Sequence, residues 1–251
     1  MRLEVEETTN ENFGRLNRGI LPFVKDAPEE DIRFSAPLYT LDEAALFLHI
    51  PRSTLSDWTR ARPGSTPVVT SMGRPHRGDP AIPFIGLAEG MVARAFRQTG
   101  LPMQYIRKAL VRLAQDLGGN EGIQHALASD RIKKHGAKLL HEWNEELSAY
   151  TEVVSRNYVF TPVVEEGLQR IEFALDGWAR RLTLPLTKEA VIEVDTQRAF
   201  GQPVFIRGGA RLVDVIERFK AGDRLSDLAY DFEVTEDDVL DVIRALLPDA
   251  A

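Results

Sequence analysis

The chain has 251 residues, of which 43% are hydrophobic and 27% are charged, and this composition predicts a globular protein with two or three compact units. It contains no cysteine, which excludes thiolate catalysis, disulfides and cysteine-ligated metals and favours a cytoplasmic location. Charges interrupt every apolar run well short of the roughly 18 residues of a membrane span, so we expect neither a signal peptide nor a membrane anchor.

The net charge of −7 is distributed unevenly along the chain. Residues 1–38 hold 5 basic and 8 acidic residues, residues 39–115 hold 10 and 5, and residues 116–251 hold 16 and 25. Only the second segment is basic, which favours contact with a phosphate backbone there and a different partner elsewhere. We expect residues 1–38 to form an acidic N-terminal arm that either docks on a partner or is disordered.

A pair of short helices is predicted at the start of the basic segment. Thr40 and Glu43 have the spacing of a capping box, and Pro51 ends the first helix and suits the start of a second helix over residues 52–60. Leu55 and Trp58 lie on the buried face of that second helix. Its outward side chains then suit a DNA groove, although an Arg-bearing helical face is often only solvated.

A hairpin wing is predicted next, from strands at residues 67–70 and 81–84 around a glycine-bearing tip. Arg74 and Arg77 at this tip are placed to hold phosphates. A helix over residues 85–97 is expected to bury Phe84, Leu87, Ala88, Met91 and Ala95. A further helix over residues 103–117 is expected to bury Ile106, Leu110, Leu113 and Leu117 and to expose Arg107, Lys108 and Arg112.

The segments 39–45, 50–58 and 100–107, with the wing between them, resemble the DNA-binding domain of MerR-type regulators. This resemblance implies a winged helix-turn-helix domain over residues 39–118. Arg52 and Arg60 are the candidates for base edges or flanking phosphates, and Arg62 joins the wing residues as a backbone contact. The full set of predicted DNA-binding residues is Arg52, Ser53, Thr54, Ser56, Arg60, Arg62, Arg74 and Arg77.

Residues 119–190 carry weaker signals and are predicted to link the flanking modules or to build a dimer surface. The patterns indicate a short helix at 121–129, an irregular hairpin at 131–143, a helix at 161–172 and a strand at 178–184.

The C-terminal residues 191–251 are predicted to form a three-helix, helix-turn-helix-like domain. An extended stretch over 201–211 contains the turn Gly208–Gly209, and Gly222 is placed to cap the first helix in the left-handed conformation. Thr235 and Asp238 form a second capping box. The residues expected to be buried are Leu212, Val213, Ile216, Phe219, Leu225, Leu228, Ala229, Phe232, Val239, Val242, Ile243 and Leu246. From residue 201 onward 6 basic residues face 11 acidic ones, so this unit is expected to bind protein rather than DNA.

Residues 191–247 resemble a small domain of unknown function (DUF four-three-three) found in bacterial antitoxins. With the MerR-like start, the chain resembles long, two-module VapB-type antitoxins of type II toxin-antitoxin systems. This resemblance implies a homodimer that neutralises a PIN-domain (VapC-type) ribonuclease toxin and represses its own operon. Arg207 and Arg211 are candidates for toxin binding, because an inserted guanidinium suits a carboxylate-rich nuclease site, or they pair with carboxylates of the third helix.

The expected fold class is mainly α with small β wings and hairpins. No phosphate-binding loop, dinucleotide fingerprint or nucleophile elbow is present, and the five histidines lack metal-ligand spacing, so we expect no enzyme, cofactor or metal site. The alternatives are a MerR-like transcriptional regulator without a toxin partner and an adaptor that binds no DNA.

Overall fold

The computed structural model describes residues 31–61, 66–73, 76, 78–98, 103–104, 106–108, 111, 125–133, 160–188 and 191–246. This part of the chain is rich in helix. Its α-helices are α1 (Ile32–Ser35), α2 (Leu41–Phe47), α3 (Arg52–Trp58), α4 (Phe84–Gln98), α5 (Phe160–Gln169), α6 (Leu212–Lys220), α7 (Leu225–Asp231) and α8 (Glu236–Leu246). Its strands are β1 (Ile171–Phe173), β2 (Ala179–Thr183), β3 (Ile192–Asp195) and β4 (Val204–Phe205). Short 3-10 helices occupy Ala126–Ala128 and Ala199–Gly201.

The helix-turn-helix predicted after Thr40 is confirmed. The Thr40 hydroxyl accepts a hydrogen bond from the Glu43 backbone N–H at 3.1 Å, and the Glu43 carboxylate accepts one from the Thr40 N–H at 2.8 Å. His49 adopts a left-handed φ of 50°, which turns the chain from α2 into α3. Leu55 and Trp58 are buried, as predicted, and α3 ends two residues earlier than expected.

The predicted wing strands are wrong, because neither residues 67–70 nor residues 81–84 form a strand. The backbone N–H groups of Val68 and Val69 donate instead to the Trp58 carbonyl, at 2.8 and 3.2 Å, and so satisfy the end of α3. Ile82 forms an antiparallel bridge with Tyr39, which precedes α2. A backbone hydrogen bond of 2.7 Å runs from Met72, in the predicted tip, to the Ala81 carbonyl at the start of the second predicted strand.

Helix α4 is buried on nearly all sides and forms the centre of the molecule. Of its 15 residues 12 are buried, including the predicted stripe of Phe84, Leu87, Ala88, Met91 and Ala95. It packs against α1, α5 and the 3-10 helix at Ala126–Ala128. The predicted amphipathic helix is therefore right in position but has no solvent face along most of its length.

A charged residue of α4, Glu89, is buried at 4% exposure and is satisfied by distant segments. Its carboxylate accepts a hydrogen bond from the Thr70 backbone N–H at 2.5 Å and lies 2.9 Å from the His125 Nδ1. Phe34 and Trp178 pack their rings around His125, at centroid distances of 5.4 and 6.3 Å. This cluster ties the segment after α3 and the linking region to the central helix.

The four strands form one antiparallel sheet in the order β1-β2-β3-β4. Ile171, Leu182 and Val194 lie opposite one another across the first three strands, and all three are buried. The alternate residues Glu172, Arg181 and Asp195 are also in register, and Arg181 forms ion pairs with both acids at 3.2 and 3.3 Å. One face of the sheet is therefore apolar and the other is charged.

The expectations for the linking region have mixed outcomes. The helix predicted at 161–172 is α5, which ends three residues early because β1 begins at Ile171, and the strand predicted at 178–184 is β2. Only Ala126–Ala128 of the helix predicted at 121–129 is described as helical, and it is a 3-10 helix. Residues 131–133 are helical, which corrects the start of the predicted hairpin, whereas the rest of that hairpin lies outside the described residues.

The C-terminal helices are α6, α7 and α8, close to their predicted bounds. Thr235 and Asp238 form the predicted reciprocal cap with two hydrogen bonds of 3.0 Å, and Gly208, Gly209 and Gly222 have positive φ angles as expected. Val213 is 42% exposed, so its predicted burial is wrong. Val213 follows the buried Leu212 and lies on the outer side of α6. The buried stripe of this helix continues at Val215 instead.

A buried hydrogen bond joins the helix-turn-helix to the sheet. The Tyr39 hydroxyl donates to the Gly201 carbonyl at 2.5 Å, and Tyr39 is 1% exposed. Gly201 has a φ of +78°, and a Cβ at this position would lie 2.9 Å from the Leu38 Cδ1. The two halves of the described chain are thus held together by a contact that few other residues permit.

We expect Tyr39→Phe to lower the free energy of unfolding by about 1–3 kcal/mol at pH 7, because the buried Gly201 carbonyl loses its donor. Burial, aided by the Glu43 charge, raises the pKa of Tyr39 far above its ordinary value. The neutral phenol is therefore favoured in the native state, and its contribution is present below about pH 10 and is lost as the pH rises further. Urea unfolding of both proteins from pH 7 to 11 should show their difference shrinking above pH 10. A constant difference would contradict this.

Candidate nucleic-acid interface

The outer face of α3 presents three of the predicted DNA-binding residues together, and a fourth follows the helix. Arg52 and Ser53 are exposed, Ser56 is half-buried, and Arg60, two residues beyond the end of α3, is exposed. The helical spacing of Arg52, Ser53 and Ser56 turns them away from Leu55 and Trp58, which anchor α3 in the core. Thr54 is half-buried and lies at the edge of this outer face. A short helix held in this way can present small polar and cationic side chains to a groove.

The Arg52 guanidinium is held by an ion pair between the two helices. Its Nε lies 2.5 Å from the Asp42 Oδ1, and the two side chains are 41% and 66% exposed. An ion pair at this exposure contributes roughly 0–1 kcal/mol, so a nucleic-acid phosphate can replace Asp42 as the partner at small cost. Asp42 therefore orients Arg52 without sequestering it.

The remaining predicted DNA contacts, Arg62, Arg74 and Arg77, lie outside the described residues. His76 and Asp79 lie near two of them and are described, and the His76 backbone N–H donates to the Asp79 carboxylate at 2.9 Å. Gly78 has a φ of +97°, which is consistent with a tight turn at the predicted tip. The contribution of the three arginines therefore stays a prediction.

Arg107 has a structural role that the sequence pattern missed. It was expected to be exposed, but its side chain is only 14% exposed. Its guanidinium donates to the Thr66 carbonyl at 2.6 Å and to the Asp57 carbonyl at 3.3 Å, and it lies 3.8 Å from the Asp57 carboxylate. Arg107 thereby fixes the end of α3 to the loop that follows it. No periodic signal indicates this contact, because both acceptors are backbone carbonyls distant in sequence.

The C-terminal unit repeats the backbone geometry of the first helix-turn-helix. Helices α2 and α7 each have seven residues, and α3 and α8 each begin after a turn of four residues. The second residue of each turn is left-handed, His49 with a φ of 50° and Glu233 with a φ of 55°. The hydrogen bond from Ile50 to the Ala45 carbonyl has its counterpart between Val234 and Ala229. The bounds of α7, the left-handed residue and the start of α8 each lie 184 residues after their equivalents in the first unit, whereas α8 extends four residues further than α3.

This equivalence allows the outer faces of α3 and α8 to be compared position by position. The first unit has Arg52, Ser53, Ser56, Asp57 and Arg60, and the second has Glu236, Asp237, Leu240, Asp241 and Arg244. The first face has two cations and one anion, whose charge is offset by Arg107, whereas the second has three anions and one cation. Phosphates would be repelled by the second face, so the first unit is the candidate nucleic-acid interface.

The two residues predicted to bind a toxin both have carboxylate partners within the chain. The Arg207 Nη1 lies 3.5 Å from the Asp238 Oδ2 at the start of α8, and Arg207 is 63% exposed. Arg211 forms a forked pair with Asp214, with distances of 2.7 and 2.8 Å, and hydrogen bonding to Asp214 raises the pKa of Arg211. Both arginines flank the Gly208–Gly209 turn. Only the Arg207 pair matches the alternative expectation of contact with the third helix.

Among the described residues, no three His, Asp or Glu side chains come close enough to form a metal site. Within the same part of the chain, no helix has both the length and the hydrophobicity required to cross a bilayer. His125, the best-packed histidine of the described set, serves as a partner of Glu89.

Residues 37–110 match the family model described as "Putative DNA-binding HTH domain". This region begins just before α2 and contains α2, α3 and α4. The match is broader than the MerR-type resemblance, which therefore remains a prediction.

The chain is 36% identical over 237 residues to the Mycobacterium tuberculosis protein named "Putative antitoxin VapB45". The match covers 87% of this chain and 97% of that relative. A crystal structure of Rv2018 from Mycobacterium tuberculosis is also similar, with a TM-score of 0.67 and 36% identity. That similarity covers 84% of this chain and 99% of the crystallised chain.

We expect Arg107→Ala to lower the free energy of unfolding by about 1–3 kcal/mol, because two backbone carbonyls lose a charged donor. Lys108→Ala, a change at the adjacent exposed position, is the control and should alter it by less than about 0.5 kcal/mol. Urea unfolding followed by circular dichroism measures both values. Equal effects of the two substitutions would show that the Arg107 contacts do not stabilise α3.

Proposed function

Because this chain belongs to the same protein family as the relative named "Putative antitoxin VapB45", we propose that it is an antitoxin that also represses its own operon. It would bind and neutralise a cognate PIN-domain ribonuclease toxin. The shared length supports this proposal, since the similarity spans nearly the whole relative rather than the DNA-binding region alone. The HTH family match supports DNA binding.

The observation that carries the proposed repressor activity is the exposed outer face of α3. Arg52 begins this helix, Arg60 lies two residues beyond its end, and Ser53, Thr54 and Ser56 lie between them. A recognition helix of this kind enters the major groove, where the arginines would contact base edges or flanking phosphates. Arg62, Arg74 and Arg77 would hold the DNA backbone and fix the register. A homodimer would place two such helices on successive half-sites of an operator.

The C-terminal unit is proposed as the toxin-binding module. Its acidic outer face disfavours DNA, and its two candidate arginines stand beside a rigid glycine turn. Arg207 and Arg211 remain 63% and 52% exposed despite their ion pairs. Exposed pairs exchange partners readily, so each guanidinium is available to a carboxylate of a nuclease site.

Substitution of Arg60 tests the DNA proposal, because the second helix-turn-helix supplies a matched control. We expect Arg60→Ala to weaken binding to the DNA upstream of the gene by about 10- to 100-fold, the loss of one specific arginine contact. Arg244→Ala changes the equivalent position of α8 and should leave the affinity unaltered. Fluorescence anisotropy with labelled duplex DNA measures both. Equal losses in the two variants, or a loss only in Arg244→Ala, would exclude α3 as the reading helix.

Co-expression with the adjacent gene tests the toxin proposal. The wild-type chain should relieve the growth arrest caused by a neighbouring nuclease and should copurify with it. We expect Arg207→Ala with Arg211→Ala to reduce copurification, whereas Arg224→Ala, an exposed arginine outside that turn, should not. If the double variant binds and neutralises as well as the wild type, these arginines are not the inhibitory residues. A chain that binds the DNA but no neighbouring protein would be a regulator without a toxin.

A further inference from the structure

A cavity of about 500 Å³ lies between the C-terminal part of α4, the end of α5 and the segment after β2. Its polar lining comes from Arg94 and Gln98 of α4, Glu166 of α5, Arg170 and Thr187. None of these residues belongs to the proposed DNA-binding face or to the turn proposed to contact a toxin. The cavity is thus a separate feature of the molecule.

A close helix contact sets the position of the two arginines in this cavity. Gly167 of α5 faces Ala95 of α4, and a Cβ on Gly167 would lie 2.4 Å from the Ala95 Cβ. Such a short approach requires glycine, and it brings the two helix backbones together. Arg94 precedes Ala95, and Arg170 follows Gly167 by three residues, so both guanidiniums line the same space.

The charges in the cavity are not balanced. Arg94 is half-buried and interacts electrostatically with both Arg170 and Glu166. Arg170 pairs with Glu166, which is four residues earlier, at 3.3 Å. Burial and the nearby Arg170 charge lower the pKa of Arg94, and the Glu166 charge opposes them. Two guanidiniums therefore face one carboxylate in this cavity, and a bound anion would offset the excess positive charge.

We propose that this cavity binds a phosphate group carried by a small molecule of about mononucleotide size. The planar guanidinium donors of Arg94 and Arg170 match phosphate oxygens, and Gln98 supplies a further polar side chain. The volume lies in the range of small-molecule sites, roughly 300–1,000 Å³, and exceeds what a lone phosphate ion needs. This site does not depend on the antitoxin proposal, since it uses none of the same residues.

The test is calorimetric titration of the full chain with AMP and with inorganic pyrophosphate, at matched ionic strength. Adenosine serves as the probe without phosphate. We expect AMP or pyrophosphate to bind the wild type, and Arg94→Gln to weaken that binding at least about tenfold, the loss of a charge-assisted hydrogen bond. Arg97→Gln, an exposed arginine three residues further along α4, is the matched control and should bind like the wild type.

Several binding results would overturn the proposal. They are no binding of either phosphate probe, equal binding by Arg94→Gln, and binding of adenosine as tight as that of AMP. Phosphates of DNA are distinguished in a separate arm with the upstream duplex. In this arm Arg94→Gln should bind the DNA as tightly as the wild type does. If Arg94→Gln lowers the DNA affinity and the wild type binds neither AMP nor pyrophosphate, the site belongs to the DNA backbone and the small-molecule proposal is overturned.

The same variants report whether Arg94 has a merely structural role. Since burial and the like charge of Arg170 both disfavour the Arg94 cation, Arg94→Gln without ligand should melt at or above the wild-type temperature. A marked fall in melting temperature would show that Arg94 stabilises the fold itself and would contradict an anion site. Arg170→Gln removes the second guanidinium, and Arg94→Lys keeps the charge but replaces the planar donor group. Both changes should weaken phosphate binding if the two guanidiniums act as a pair.

Discussion

The hydrogen bond between Tyr39 and Gly201 is the contact through which the DNA-facing half of the molecule is placed relative to the sheet. It joins residues 162 positions apart and is buried, so breaking it would leave a polar group without a partner away from solvent. The glycine at its acceptor end has a left-handed backbone. A buried contact therefore links the segment before the first helix-turn-helix to the segment between β3 and β4.

The parts of the fold that could be predicted from sequence are those with local causes. Capping boxes at Thr40 and Thr235 fix helix starts within four residues of chain, and their patterns are visible in the sequence. The prediction of two wing strands was wrong because the second of them pairs at Ile82 with a distant segment, the one around Tyr39, rather than with the first. Arg107 was predicted to be exposed for a similar reason. Helical periodicity shows where apolar residues lie, but it does not show which backbone carbonyl an arginine side chain contacts.

The second helix-turn-helix was likewise only partly predictable from the sequence. Similar helices and an opposite charge balance were apparent from composition, but the residue-by-residue equivalence was not. The turn in each unit uses a non-glycine residue in the left-handed conformation, His49 or Glu233, so the usual glycine signal for this turn is missing. Once the two backbones are matched, the charge reversal on the outer helix indicates which unit suits a polyanion and which suits a protein.

The setting of Glu89 has a consequence for where the DNA-binding region ends. The matched HTH region stops at residue 110, yet the buried carboxylate within it is completed by His125, a residue of the following segment. A fragment cut at that boundary would leave an ionisable group inside an apolar helix without its counterpart. The helix-turn-helix region therefore shares a buried polar contact with the segment that follows it, and a fragment used in isolation would need to extend past His125 to keep that contact.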